Sequence, residues 1–199
     1  ESRGLGDVYK RQAPIYTVTG WNSASGAKIP VDEVVPVFGG YCEAPWENHM
    51  NRLSPSPHYF FNRMRNDSAI GTDLIAKTQS DGWQLPYERY PFATCELGGG
   101  IEVTHHRRPI IKPMDIYAVS LVKLGDGNNL VGYYMYHGGT NKIGELSTFN
   151  ETKATGYPND YPILSYDFQA PLSEYGEVRE QYGLLNMLHM FCLLYTSDA

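Results

Sequence analysis

The chain has 199 residues, 42% of them apolar, and a net charge of −6 from 22 acidic and 16 basic residues. That is enough for one domain with a sizeable core and excludes a disordered or low-complexity chain. No apolar run approaches the roughly 20 residues of a membrane helix. No basic stripe is present to neutralise phosphates, which speaks against a nucleic-acid partner.

Three cysteines, Cys42, Cys95 and Cys192, include no CxxC pair. Neither a disulfide framework nor a zinc site is indicated, no cofactor or metal is expected, and compartment and oligomeric state stay open. Tyrosine is abundant, 16 against 7 phenylalanines. A tyrosine offers a flat apolar face and a hydroxyl, which suits either half-buried strand positions or a site for sugars.

In chain order, residues 1–12 come first. Their run Gly-Leu-Gly-Asp-Val-Tyr-Lys-Arg-Gln (4–12) resembles a translated sequencing adaptor, as does Cys-Leu-Leu-Tyr-Thr-Ser-Asp-Ala at 192–199. Both are set aside from fold reasoning, leaving residues 13–191 as the expected native piece of a longer reading frame.

Ile15 to Thr19 is β-branched and aromatic and predicts a first strand, ending at Gly20-Trp21. Asn22 to Glu88 then reads as a long insertion, far longer than an ordinary connection, rich in prolines and aromatics. Tyr90 to Cys95 predicts a second strand, ending at Glu96 and a glycine triplet. A helix follows from Pro113, with Ile116, Val119, Leu121 and Val122 as its core stripe and Gly125 and Gly127 as its stop. Leu130 to Tyr136 predicts a third strand, ending in His137-Gly138-Gly139. After a polar loop, Val178, Tyr182, Leu185 and Leu188 predict a last helix from about Glu177 to Phe191, with Ser173 a candidate cap. Strands alternating with helices imply parallel βα units, whose C-terminal strand ends build the active site in α/β barrels.

Three segments carry chemistry. In Thr94-Cys95-Glu96-Leu97-Gly98-Gly99-Gly100, a carboxylate follows an apolar run, and the glycines permit a tight turn and close approach of a ligand. Glu96 is either a catalytic carboxylate at a barrel mouth or the acid of a helix start or surface turn. In Gly132 to Asn141, strand alternation places Tyr134 and Tyr136 on one face and Tyr133 and Met135 on the other. His137 reads as structural rather than as a ligand or base. In Ser165 to Gly176, Tyr166 and Asp167 either buttress the floor of a site or only fix the loop.

The last two segments together resemble glycoside hydrolase family 35, the β-galactosidases. That family carries a Tyr-Met-aromatic-x-Gly-Gly-Thr-Asn strand end, matched by Tyr134 to Asn141. Its Ser-Tyr-Asp-aromatic-x-Ala-Pro-Leu-Ser-Glu segment is matched by Ser165 to Glu174. Thr94 to Gly100 is similar to the family's penultimate strand.

The resemblance implies an α/β fold: the C-terminal part of a (β/α)₈ TIM barrel, about its last three βα units, with the long insertion after the first strand. It implies a retaining hydrolase of terminal β-galactosides with Glu96 as nucleophile and Tyr134 as a sugar-binding tyrosine. Trp21, Tyr136, Asn141 and Tyr166 complete the candidate substrate-binding set. A retaining mechanism needs a second carboxyl about 5–5.5 Å away. The family's Asn-Glu-aromatic-Gly acid/base motif is absent; Asn150-Glu151-Thr152 lacks its aromatic and glycine. The acid/base is therefore expected upstream. Gly98 and Gly99 stand where many members carry bulkier residues, and His105 to Arg108 follow in place of the family's usual Trp-Gly, which points to a divergent bacterial subgroup and leaves the aglycone preference open. The alternatives are a non-catalytic carbohydrate-binding protein or a degenerate relative.

Overall fold

A computed structural model describes residues 13–18, 34–65, 67, 69–70, 86–101, 103–104, 106–146, 152–156, 160 and 164–196. Trp21, Glu102, His105 and both ends of the chain (1–12 and 197–199) lie outside the described residues.

Four parallel strands form one sheet in the order β1 (Tyr16–Val18), β2 (Val35–Tyr41), β3 (Ala93–Gly98), β4 (Leu130–Tyr133). Helix α1 (Pro113–Gly125) joins β3 to β4. Beyond β4, the short strands β5 (Gly139–Thr140) and β6 (Ser165–Tyr166) pair antiparallel, Gly139 opposite Tyr166. Helix α2 (Glu180–Thr196) follows and packs on α1. The chain is thus α/β with a parallel sheet.

The strand β2 corrects the sequence reading. Its residues had been counted in an insertion running from Asn22 to Glu88. The run Val-Pro-Val-Phe-Gly-Gly-Tyr is β-branched and aromatic, but Pro36 and the pair Gly39-Gly40 read as breakers. The ladder tolerates the missing donor because Pro36 sits near the strand's start. Gly40 is needed for close packing, since a Cβ there would lie 3.0 Å from His58 Nδ1 and 3.2 Å from Leu97. The sheet therefore has four parallel strands rather than three, and the long connection follows β2.

Other boundaries move for physical reasons. β3 ends at Gly98, so Glu96 sits inside the strand. The ladder of β4 on β3 ends at Tyr133 opposite Leu97, three residues short of the expected strand end. The last helix begins at Glu180, and Val178 is exposed outside it. Ser173 does not cap that helix. Its hydroxyl accepts from the amides of Tyr175 and Glu177 at 3.3 and 2.9 Å, closing a separate turn. Helix α2 continues through Cys192 to Thr196.

Helix α1 matches its expected span. Pro113 supplies a helical φ at the first position, and the Asp115 carboxylate accepts from the Lys112 amide at 3.2 Å. Ile116 and Val119 face the core, whereas Leu121 is exposed, one position off the buried stripe. The core lies between sheet and helices and comprises Tyr41, Cys42, Ile70, Leu97, Ile101, Ile111, Ile116, Val119 and Leu185. Leu97, Val119 and Leu185 are fully buried, each contributing about 1.5–3 kcal/mol of transfer free energy. Tyr41 and Leu97 belong to this core, and Glu96, next to Leu97, is half-buried, so core packing fixes the backbone that carries it.

Candidate active site

The register of β3 breaks at Glu96. On its β2 side, consecutive Phe38 and Gly39 face Thr94 and Glu96. On its β4 side, Thr94 and Leu97 face Val131 and Tyr133, so Cys95 and Glu96 together oppose Gly132 alone. This is a β-bulge, a device that re-aims a side chain. Gly132 makes room for it: a Cβ there would fall 2.6 Å from Thr94 O and 2.9 Å from Cys95 Cα.

The bulge leaves Glu96 half-buried with its carboxylate toward the end of β2. There the hydroxyl of Tyr41 donates to Glu96 Oε2 at 2.5 Å. Tyr41 is buried, and burial together with the neighbouring Glu96 charge holds its hydroxyl well above the ordinary tyrosine range. At neutral pH it therefore stays protonated and donates to the carboxylate. Burial likewise pushes the Cys95 thiol up to about 12, with Glu96 adding to the effect. The three cysteines are free thiols, Cys42 buried and the other two half-buried.

Tyr134 meets the same group from β4. Its ring stands edge-on to Tyr41 with centroids 6.2 Å apart. Its backbone is clipped on both sides: its amide donates to Leu97 O at 3.1 Å, and its carbonyl accepts from Gly100 N at 2.9 Å. The glycine triplet explains itself here. Gly98 adopts φ +129°, and a Cβ on Gly100 would lie 2.2 Å from Tyr134 O. The Tyr134 and Tyr166 hydroxyls are hydrogen-bonded, and Phe168 packs against both rings, 5.5 Å from Tyr134 and 4.3 Å from Tyr166.

The two downstream motif segments meet as β5 and β6. Asp167 pins them. Its Oδ1 accepts from the Glu174 amide at 2.6 Å, and its Oδ2 pairs with Arg179 at 2.8 Å. Gly138 packs directly on this clip, where a Cβ would lie 2.9 Å from Asp167 Oδ1. Of the two roles open to Tyr166 and Asp167, the structure gives Asp167 the loop and Tyr166 the contact with Tyr134.

The candidate residues are thus only partly brought together. Glu96, Tyr134 and Tyr166 form one cluster. Tyr136 departs from it. The strand stops at Tyr133, so strict alternation no longer applies; the Tyr136 ring packs on Tyr133 at 5.8 Å and on Tyr182 at 6.1 Å, toward α2. Asn141 bonds through its amide to Leu164 O at 2.7 Å, extending the β5–β6 pairing rather than joining the cluster. Trp21 lies outside the described residues. His137 bridges to Leu172 and its ring contacts the Gly138 carbonyl, in keeping with a structural role. Sequence reasoning counted Tyr41 only among the aromatics of the long insertion and did not place it beside Glu96. Its signal was an aromatic residue closing an apolar run, hidden behind Gly39-Gly40.

Among the described residues no group of three or more His, Cys, Asp or Glu side chains could hold a metal ion, and no helix is long and apolar enough to cross a membrane. A half-buried carboxylate that accepts from the Tyr41 hydroxyl, near the Tyr134 ring, offers both polar and apolar contacts.

Comparison with known proteins agrees with that chemistry. Residues 28–192 match the family described as Glycosyl hydrolases family 35, and the chain belongs to it. Among curated relatives it is similar to Beta-galactosidase 10 of Arabidopsis thaliana, 38% identical over 85 residues, which is 42% of this chain and 10% of that protein. The chain thus aligns with about a tenth of that relative's length. No solved structure matches it.

Proposed function

We propose that this chain is part of the catalytic barrel of a retaining glycosidase that cleaves terminal β-galactosides, with Glu96 as the nucleophile. The observation that carries the reading is the Tyr41–Glu96 hydrogen bond at 2.5 Å, on a bulge that aims the carboxylate at the strand ends and beside the ring of Tyr134. Membership of Glycosyl hydrolases family 35 and the likeness to a β-galactosidase support it.

In the proposed reaction Glu96 Oε attacks the anomeric carbon, the glycosidic C–O bond breaks, and the departing oxygen takes a proton from a second carboxyl. Water, deprotonated by that same carboxylate, then displaces Glu96 and restores it. Tyr41 holds the ionised nucleophile before attack, and Tyr134 and Tyr166 contact the sugar. The second carboxyl is expected from an upstream strand of the (β/α)₈ barrel, of which the four parallel strands here would be consecutive members.

The nucleophile's half of the mechanism is testable without the acid, because a dinitrophenolate leaves unprotonated. Incubation with 2,4-dinitrophenyl 2-deoxy-2-fluoro-β-galactoside should release one equivalent of dinitrophenolate and leave a fluorosugar ester on Glu96, located by peptide mass mapping. Glu96→Gln should give none. Binding of galactose with no adduct on Glu96 would sink the nucleophile assignment and favour a non-catalytic sugar-binding protein.

A further inference from the structure

The basic run after β3 is not used by the reaction above. His106, Arg107 and Arg108 line one wall of a polar cleft of about 560 Å³; Met50 to Pro55, from the connection after β2, line the other. Cys42, Tyr59 and Asp115 line it between them. This volume is within the range of small-molecule sites.

Arg107 builds the cleft rather than serving it. Its Nη1 donates to the carbonyls of His49 and Asn51 at 3.2 and 2.9 Å, and its Nη2 pairs with Glu43 at 3.3 Å. That tie holds the two walls together. The acids of the cleft are engaged: Glu43 with Arg107, and Asp115 with the Tyr59 hydroxyl at 3.0 Å and the Lys112 amide at 3.2 Å. The remaining cations, Arg52 and Arg108, are exposed, and among the described residues neither is paired with a carboxylate. Met50 and Ile110 add apolar surface to the same cleft, each 84% exposed. Two guanidinium groups without a carboxylate partner, that of Arg108 also donating through Nη1 to the Arg107 carbonyl at 3.2 Å, stand beside apolar side chains and suit a ligand with an anionic group and a C–H face.

The cleft adjoins the Glu96 cluster. Gly39 faces Glu96 across the ladder, and Cys42 lies three residues further along the same chain. At 3.3 Å per strand residue that is about 10 Å, within reach of a short oligosaccharide. The Cys42 amide donates to Gly98 O at 3.1 Å, which keeps the two regions in one rigid frame.

The geometry points to an accessory subsite for an acidic sugar, one carrying a carboxylate or a sulfate ester, gripped by Arg52 and Arg108. That this sugar is the aglycone of a β-galactoside rests on the function proposed above; the affinity for the acid itself does not.

The test uses monosaccharides without galactose. Methyl β-glucuronide, glucose 6-sulfate and neutral methyl β-glucoside are titrated into the chain at low salt and followed by ligand-observed NMR. At least one acid should bind about tenfold more tightly than the neutral sugar, and added salt should erase the difference. The Arg52→Ala/Arg108→Ala double variant should lose the preference, and the exposed, remote Arg89→Ala should keep it. Which acid is favoured identifies the substituent. Equal binding of all three sugars, or a preference that survives the double variant, would overturn the subsite. Retained acid binding in a chain that forms no Glu96 adduct would keep the subsite and sink the nucleophile instead.

Discussion

The hydroxyl of Tyr41 and the carboxylate of Glu96 lie 2.5 Å apart although 55 residues separate them in sequence. The contact exists because β2 and β3 run side by side and a bulge turns Glu96 toward the end of β2. Tyr41 is anchored in the core and cannot follow a displaced partner. Replacing Tyr41 with Phe keeps the packing and removes the donor. Without the hydroxyl, Glu96 is no longer held in position for attack, so the rate of fluorosugar ester formation on it should fall by roughly 10- to 100-fold. A hydrogen bond to a charged group contributes about 1.5–3 kcal/mol to stability, so the thermal midpoint should fall by several degrees as well. A variant that labels at the wild-type rate would remove Tyr41 from the site.

Gly132 is expected to be the most sensitive glycine for the position of Glu96. A methyl group there meets Thr94 O and Cys95 Cα well inside contact distance. Gly132→Ala should cost about 1–3 kcal/mol in urea unfolding, as overpacking does, and should lower Glu96 labelling beyond what unfolding explains. Gly139→Ala is the control, because nothing lies within 4 Å of its would-be Cβ. It should be near neutral in both measurements.

Asp167 tests whether the β5–β6 clip matters to the site. Asp167→Ala removes the acceptor of the Glu174 amide and the partner of Arg179. Tyr166 then loses its fixed position against Tyr134, and sugar affinity should fall by about tenfold. Titration with galactose checks it. Ester formation at saturating sugar should fall less than affinity does.

Lys123 offers a stability test apart from the site. It is buried at the end of α1, with its ammonium 3.8 Å from Asp126 and near the ring of Phe92. Burial lowers its pKa, against the pull of Asp126 and Asp67. The unfolded chain therefore binds more protons between the lowered folded value and the ordinary lysine range, and stability should rise with pH across that window. Lys123→Met should be neutral or stabilising near neutral pH, since it removes a desolvated charge, and should abolish that rise. Asp126→Ala should destabilise instead, because the amides of Asn62 and Arg63 donate to its carboxylate at 3.2 and 3.0 Å. Urea midpoints of the three proteins at neutral pH and at roughly pH 9.5 decide it.

Much of the frame was legible in the chain. Pro113 and the three-residue spacing of Ile116, Val119 and Val122 define α1, because helix periodicity is a local property of sequence. Glu96 was singled out by its apolar run and glycine triplet, and the segments around Tyr134 and Tyr166 by their family motifs. Three things were not legible. Strand β2 was hidden because Pro36 and Gly39-Gly40 carry local breaker signals that only packing against Leu97 and His58 overrides. Tyr136 was placed on the face of Tyr134 because alternation was extended past Tyr133, where the ladder ends. Tyr41 was counted only among the aromatics of the long insertion, because a donor to Glu96 is defined by proximity across a sheet.

By itself, then, the sequence determined the elements with strong local periodicity and the family, and it singled out Glu96 as the candidate carboxylate, since each of these is written in neighbouring residues. Only the tertiary structure decided where that carboxylate points and what holds it. Those depend on a register shift between strands and on steric room at Gly132, which arise between segments distant in the chain.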